Sequence, residues 1–207
     1  MRDFRHWHGF TLIELGIAIA IIALLVVAVM QSGSLVGSAG SKSVQAAVKD
    51  LAAAINDFRA RYSYLPGDMP TATGQIAGLV AGSCTASDNG DGDGKIDLNN
   101  SNGMNEVACV PEHLFRAGFI KGGAGAITIS VSGNLITIRA IAANATYGFP
   151  SGTRNVIELL NVPCQIAQEL DAKTDDGIFT TGSTRASVAS CTVGGANDPV
   201  PAMAIAL

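Results

Sequence analysis

The side chains best able to do chemistry in this chain of 207 residues gather in one short stretch, DNGDGDGKIDLNN, from Asp88 to Asn100. Asp91, Asp93 and Asp97 alternate there with glycines that allow sharp corners, and Ile96 supplies an apolar anchor. With Gly94 on the sixth position of an EF-hand-type loop, Asn89, Asp91, Asp93, the carbonyl of Lys95, Asp97 and Asn100 fall on the ligand positions. Hard oxygen donors of this kind suit Ca²⁺ rather than zinc or another metal that prefers soft ligands. Two positions depart from the pattern. Asn89 stands where a leading Asp is usual and Asn100 where a bidentate Glu is usual, so affinity is low or Asp88 substitutes from one residue earlier. The competing reading is a solvated turn whose Asn-Gly and Asp-Gly corners need no ion, and both readings stay open. Asp175 and Asp176 form a weaker acidic corner that reads as a plain turn.

Candidates for catalysis are few. Two of the three histidines, His6 and His8, lie within the first nine residues, which leaves His113 for the rest of the chain. A single His in a short amphipathic segment more often packs or caps than acts as a general base. GxSxG, HExxH and P-loop patterns are absent from the sequence, so no enzyme activity is expected. A net charge of -4, a pI near 5.2 and only 14% charged residues leave no basic face on which a nucleic acid could release counterions. Cys84, Cys109, Cys164 and Cys191 permit three disulfide pairings, among which sequence alone cannot choose. Buried free thiols are the alternative, although Cys spaced this way in a Gly-rich region favours bridges outside the reducing cytosol. No CxxC occurs, which argues against redox catalysis and zinc binding.

The elements that must carry these groups read as one long helix and a loop-rich remainder. The chain is 48% hydrophobic with a mean hydropathy of +0.33, and the excess lies at the N-terminal end. From Phe10 to Met30 the run is broken only by Thr11 and Glu14, no charged residue occurs between Glu14 and Lys42, and Arg2 and Arg5 precede it. About twenty apolar residues at 1.5 Å rise reach across a bilayer core of roughly 30 Å, so 10–30 is expected to be a transmembrane segment with its basic end in the cytoplasm. The rival is a cleaved signal peptide, given the small residues Ser32, Gly33, Ser34 and Ala39. Glu14 argues against that rival, because a carboxylate in an apolar span costs roughly 2.5 kcal/mol or more and needs a partner. A cut between Gly9 and Phe10 would place a new amine on the same helical face, four residues before Glu14.

Gly33, Gly37 and Gly40 weaken helix across 31–43 by about 1 kcal/mol each, so a kink or a melted stretch is expected there. From Lys42 to Tyr62, Val44, Ala47, Val48, Leu51, Ala54, Ile55 and Phe58 recur at spacings of three and four, which makes an amphipathic stripe. Pro66-Gly67-Asp68 stops it. Beyond Pro70 the chain reads as a compact α+β head. Ala126–Val131 and Leu135–Ile141 flank Ser132-Gly133-Asn134 as a β-hairpin. Short helices are expected from Pro111 to Gly118 and from Pro163 to Lys173, each with proline first, and a strand from about Gly177 toward Ala189.

GFTLIEL, from Gly9 to Leu15, follows a short basic leader and precedes an uninterrupted apolar stretch. In this it resembles the type IV prepilin and type II secretion pseudopilin signature. The resemblance covers about thirty residues. FRARYSYLPGDMP (Phe58 to Pro70), VPEHLFRAGFI (Val110 to Ile120) and LDAKTDDGIFTTG (Leu170 to Gly182) also look like segments of a bacterial pseudopilin-like subgroup. The resemblance implies that a prepilin peptidase cuts after Gly9 and methylates the amine of Phe10, and that Glu14 faces a neighbouring subunit's N-terminus. It implies a pilin-like α+β fold. A leader at 1–9 would precede a long N-terminal helix at 10–62, membrane-spanning in its first half and amphipathic in its second, and a head at 63–207 with a small antiparallel sheet. Many pilins carry an early proline in the helix, and this chain has none. The implied function is that of a structural subunit of a type IV pilus or type II secretion filament. Its partners would be the peptidase, copies of itself and related subunits, an inner-membrane assembly platform and the membrane. It would be single-pass in the bacterial inner membrane with the head in the periplasm, before joining a periplasmic or extracellular filament. Pairing of sequence neighbours is expected for the cysteines: Cys84 with Cys109 around the acidic loop, and Cys164 with Cys191 in the way many pilins close a C-terminal loop. The alternative function is a secreted or membrane-anchored calcium-stabilised binding domain that does not polymerise.

Overall fold

A computed structural model describes residues 11–80, 82–84, 88–121, 123, 125–131 and 133–207, and for 28–37 the helical backbone alone. Helix α1 (Leu12–Tyr62) runs for 51 residues. Thr11 caps its start in a capping box: the Glu14 amide donates to the Thr11 hydroxyl, and the Thr11 amide donates to the Glu14 carboxylate. At the other end Ser63 turns left-handed and its amide closes on the Arg59 carbonyl, so α1 stops at Tyr62, ahead of Pro66. The expected break at 31–43 is not found; the helix continues through all three glycines. Gly40 instead sits where a Cβ would meet Val131 Cγ1 at 2.4 Å and Ile166 Cδ1 at 3.1 Å. It is a site of close approach, and packing outweighs the propensity cost.

The remaining elements are α2 (Ala72–Gln75), α3 (Glu106–Arg116), β1 (Ile127–Val131), β2 (Asn134–Ala142), β3 (Asn155–Val162), α4 (Cys164–Thr174), β4 (Thr184–Ala186) and β5 (Val200–Ala206). The strands form one antiparallel sheet in the order β1-β2-β3-β5-β4. Val44, Val48, Leu51, Ile55 and Phe58 of α1 share a single buried cluster with Val110 and Leu114 of α3. The same cluster takes in Ile136 and Ile138 of β2, Leu159 of β3, Ile166 and Leu170 of α4, and Met203 of β5. The stripe read from the sequence is thus the face that α1 buries on the head. Burial of side chains of this size, about 1.5–3 kcal/mol each, holds α1 there.

The expected architecture needs correction at its N-terminal end. No helix among the described residues is long and apolar enough to cross a membrane, so the pilin-like fold with a membrane-spanning half is not what the structure contains. The single-pass inner-membrane placement, with a periplasmic head, falls with it.

Smaller differences have local causes. Helix α3 begins at Glu106 rather than Pro111, because Asn105 caps it by accepting from the Ala108 amide at 3.1 Å. Pro163 precedes α4 as its N-cap residue instead of opening it. The strand expected from Gly177 toward Ala189 is reduced to β4, and β3 and β5 were not anticipated.

Candidate functional site

The acidic stretch is organised by two carboxylates from outside it. Asp68 follows the Pro66-Gly67 turn after α1, and its buried carboxylate accepts the amides of Gly92 at 2.7 Å and Gly94 at 3.0 Å. Glu106 opens α3. Also buried, it accepts the Asp91 amide at 3.1 Å, the Asp97 amide at 2.9 Å and the Asn100 side-chain amide at 2.8 Å. Asp91 receives the Ser101 hydroxyl at 2.7 Å. Ligand oxygens of Asp68, Asp91 and Glu106 all lie within 4.8 Å of one another.

Burial, and then the nearby charge of Glu106, pushes Asp68 up to about 7. Burial likewise raises Glu106, despite the amides it accepts. Burial, then the charge of Asp93, raises Asp97. Asp91 is held below the usual carboxylate range, first by the Ser101 hydroxyl. Three carboxylates this close offer a hard cation several oxygens, although Glu106 Oε1 and Asp91 Oδ2 each already accept two hydrogen bonds.

The loop does not gather its donors in the register read from sequence. Asn89 turns its Oδ1 to the Thr73 amide at 3.0 Å, and Asn100 turns its Oδ1 to the amides of Asn102 and Met104. Asp93 accepts the Lys95 amide at 2.8 Å and pairs with the Lys95 ammonium at 3.5 Å. Neither Asp93 nor Asp97 belongs to the group that converges. Neither Asp68 nor Glu106 falls within the acidic stretch: Asp68 belongs to the turn after α1, and Glu106 to the first turn of α3. The one signal for Glu106 was an acid in the first turn of a helix whose start was placed too late.

His113 clamps the same region. Its Nδ1 accepts the Gly67 amide at 3.0 Å and its Nε2 lies 3.1 Å from the Asp88 carbonyl, to which it donates in that tautomer. Burial pushes its pKa down. The ring therefore joins the turn after α1 to the acidic loop, with both nitrogens engaged. Two disulfides, Cys84–Cys109 and Cys164–Cys191, tie the loop region to α3 and the start of α4 to the segment before β5.

At the other end of the molecule Gly9 and Phe10, the expected processing residues, lie outside the described residues. Glu14 is described: one of its carboxylate oxygens takes the Thr11 amide at 2.9 Å and hydroxyl at 2.8 Å. Around it the apolar side chains of α1 stand in solvent, from Leu12 at 91% exposed to Val27 at 52%. Comparison with protein-family models, with curated proteins and with solved structures finds no match for this chain.

Proposed function

We propose that this chain is a structural subunit of a type IV pilus or type II secretion filament, built in through its N-terminal helix. The observation that carries the reading is the exposed apolar surface of α1, where Leu12, Ile13, Leu15, Ile17, Ile19, Leu24 and Leu25 are each more than half exposed. A continuous apolar surface of this kind has to be covered, and copies of the same helix cover it without any new recognition element. Glu14 is the one charged residue from Leu12 to Val27. In a bundle of such helices it needs a partner, since an unpaired buried carboxylate opposes assembly. An amine at Phe10, freed when a prepilin peptidase removes 1–9, supplies one.

Mass spectrometry of the mature N-terminus tests the reading. N-methylphenylalanine at Phe10 is expected, whereas a start after Gly33 to Gly40 would support the secreted binding domain instead. Glu14→Ala is expected to leave the chain produced and cut after Gly9 while filament yield falls. Undiminished filaments from that variant would remove Glu14 from assembly.

A further inference from the structure

The second acidic corner, at the end of α4, behaves differently from a plain turn. Asp171 is fully buried, and neither of its carboxylate oxygens meets a hydrogen-bond donor. A carboxylate shut away from water without donors is costly unless something else neutralises it. Asp175 and Asp176 follow directly after the helix, and ligand oxygens of all three lie within 4.8 Å of one another. The two later carboxylates are held in place by their own contacts. Asp175 Oδ2 accepts the amides of Thr184, at 2.9 Å, and Ser183. Asp176 accepts the Ile178 amide at 2.9 Å and the Thr181 hydroxyl at 2.6 Å.

Nearby cationic side chains leave Asp171 without a hydrogen bond, although the charge of Arg185 reaches Asp176. Lys173 reaches Glu169 and Ser41, each at 3.0 Å, and Arg185 reaches the carbonyls of Gly182, at 3.0 Å, and Gly148. We propose that Asp171, Asp175 and Asp176 form a calcium-binding site, in which the ion supplies the partner that buried Asp171 lacks. The C-terminal end of an α-helix, where the backbone dipole is negative, adds to the attraction for a cation. Three carboxylates suit Ca²⁺, which accepts many oxygens in flexible geometry, better than Mg²⁺, which keeps most of its waters. The absence of nitrogen or sulfur donors disfavours zinc and copper. Asp176 is exposed while Asp171 is buried, so the ion enters from the Asp176 side. The site does not depend on the filament reading.

The test uses the full chain, kept in solution by detergent, stripped with EDTA and titrated calorimetrically with calcium chloride to about 5 mM. Wild type, Asp171→Asn and Asp91→Asn are compared. Calcium binding that survives Asp91→Asn and weakens about 10- to 100-fold in Asp171→Asn is expected. In EDTA, Asp171→Asn should unfold at a higher temperature than wild type, because the amide removes a charge and can donate to its neighbours. If Asp171→Asn fails to fold, exposed Asp176→Asn is read by the same calcium criterion. Calcium binding unchanged in the Asp171 or Asp176 variant, binding lost only in Asp91→Asn, or none in wild type overturns the proposal.

Discussion

A Cβ added at Gly90 would lie 2.3 Å from the Asp68 carbonyl carbon and 2.4 Å from its Cα. The Gly90 amide also donates to the Met69 carbonyl at 3.0 Å. The obstacle is backbone that cannot step aside. Gly90→Ala is therefore expected to cost about 1–3 kcal/mol in urea unfolding. Gly152→Ala, where a Cβ meets nothing within 4 Å, should stay within about 0.5 kcal/mol. At Gly40 the obstacles are Val131 and Ile166 side chains, so Gly40→Leu should loosen α1 from β1 and α4 and lower the unfolding midpoint. In the sequence these glycines look alike, as corners or helix breakers. The close approaches that make two of them necessary come from chain segments far away.

Among the elements, the β1-β2 hairpin was legible because its alternation and its Gly-containing turn are local; the register closes with Val131 opposite Asn134. β3 was harder to read. Val156, Ile157 and Leu159 are buried in the middle of the sheet, and a central strand loses the alternation that marks a half-exposed one. β5 was masked by Pro201. The pairing of β3 with β5 passes from Leu160 and Ala202 to Val162 and Val200, and Asn161 in between has a φ of 61°. β4 pairs only with 203–205, so Pro201 sits where a missing amide costs no ladder bond on that side. The loop elements rely more on covalent ties. The Cys84–Cys109 bridge closes 25 residues around the acidic stretch. A Cys84→Ser, Cys109→Ser double variant is expected to lose roughly 3 kcal/mol in urea unfolding.

For the molecule as a whole, buried carboxylates set the response to pH. Asp68 is raised to about 7 and Asp171 to about 6, with Glu106 shifted in the same direction. A folded state with raised carboxylate pKa values holds protons that the unfolded chain has already released. Its stability is therefore greatest below the ordinary carboxylate range and is lost as pH rises through those folded values. His113 acts in the opposite sense: its lowered pKa stabilises the fold above the ordinary His value and withdraws that support as pH falls through the folded value. In EDTA the urea midpoint is expected to rise as pH is lowered from about 8 to about 6. Calcium should flatten that rise, because an ion binds the ionised carboxylates and stabilises the high-pH end. A midpoint that climbs with pH in EDTA would show that these carboxylates are not buried as the fold places them.

Local spacing was enough to read the buried stripe from Val44 to Phe58 and the hairpin, because helix and strand periodicity follow from residues a few positions apart; the apolar run near Glu14, read as a membrane span, was not settled by its spacing. The grouping of Asp68 with Asp91 and Glu106, and the isolation of Asp171 from every donor, came from packing. The first joins residues on three separate elements, and the second depends on which neighbours exclude water, and neither is written in the spacing of any one segment.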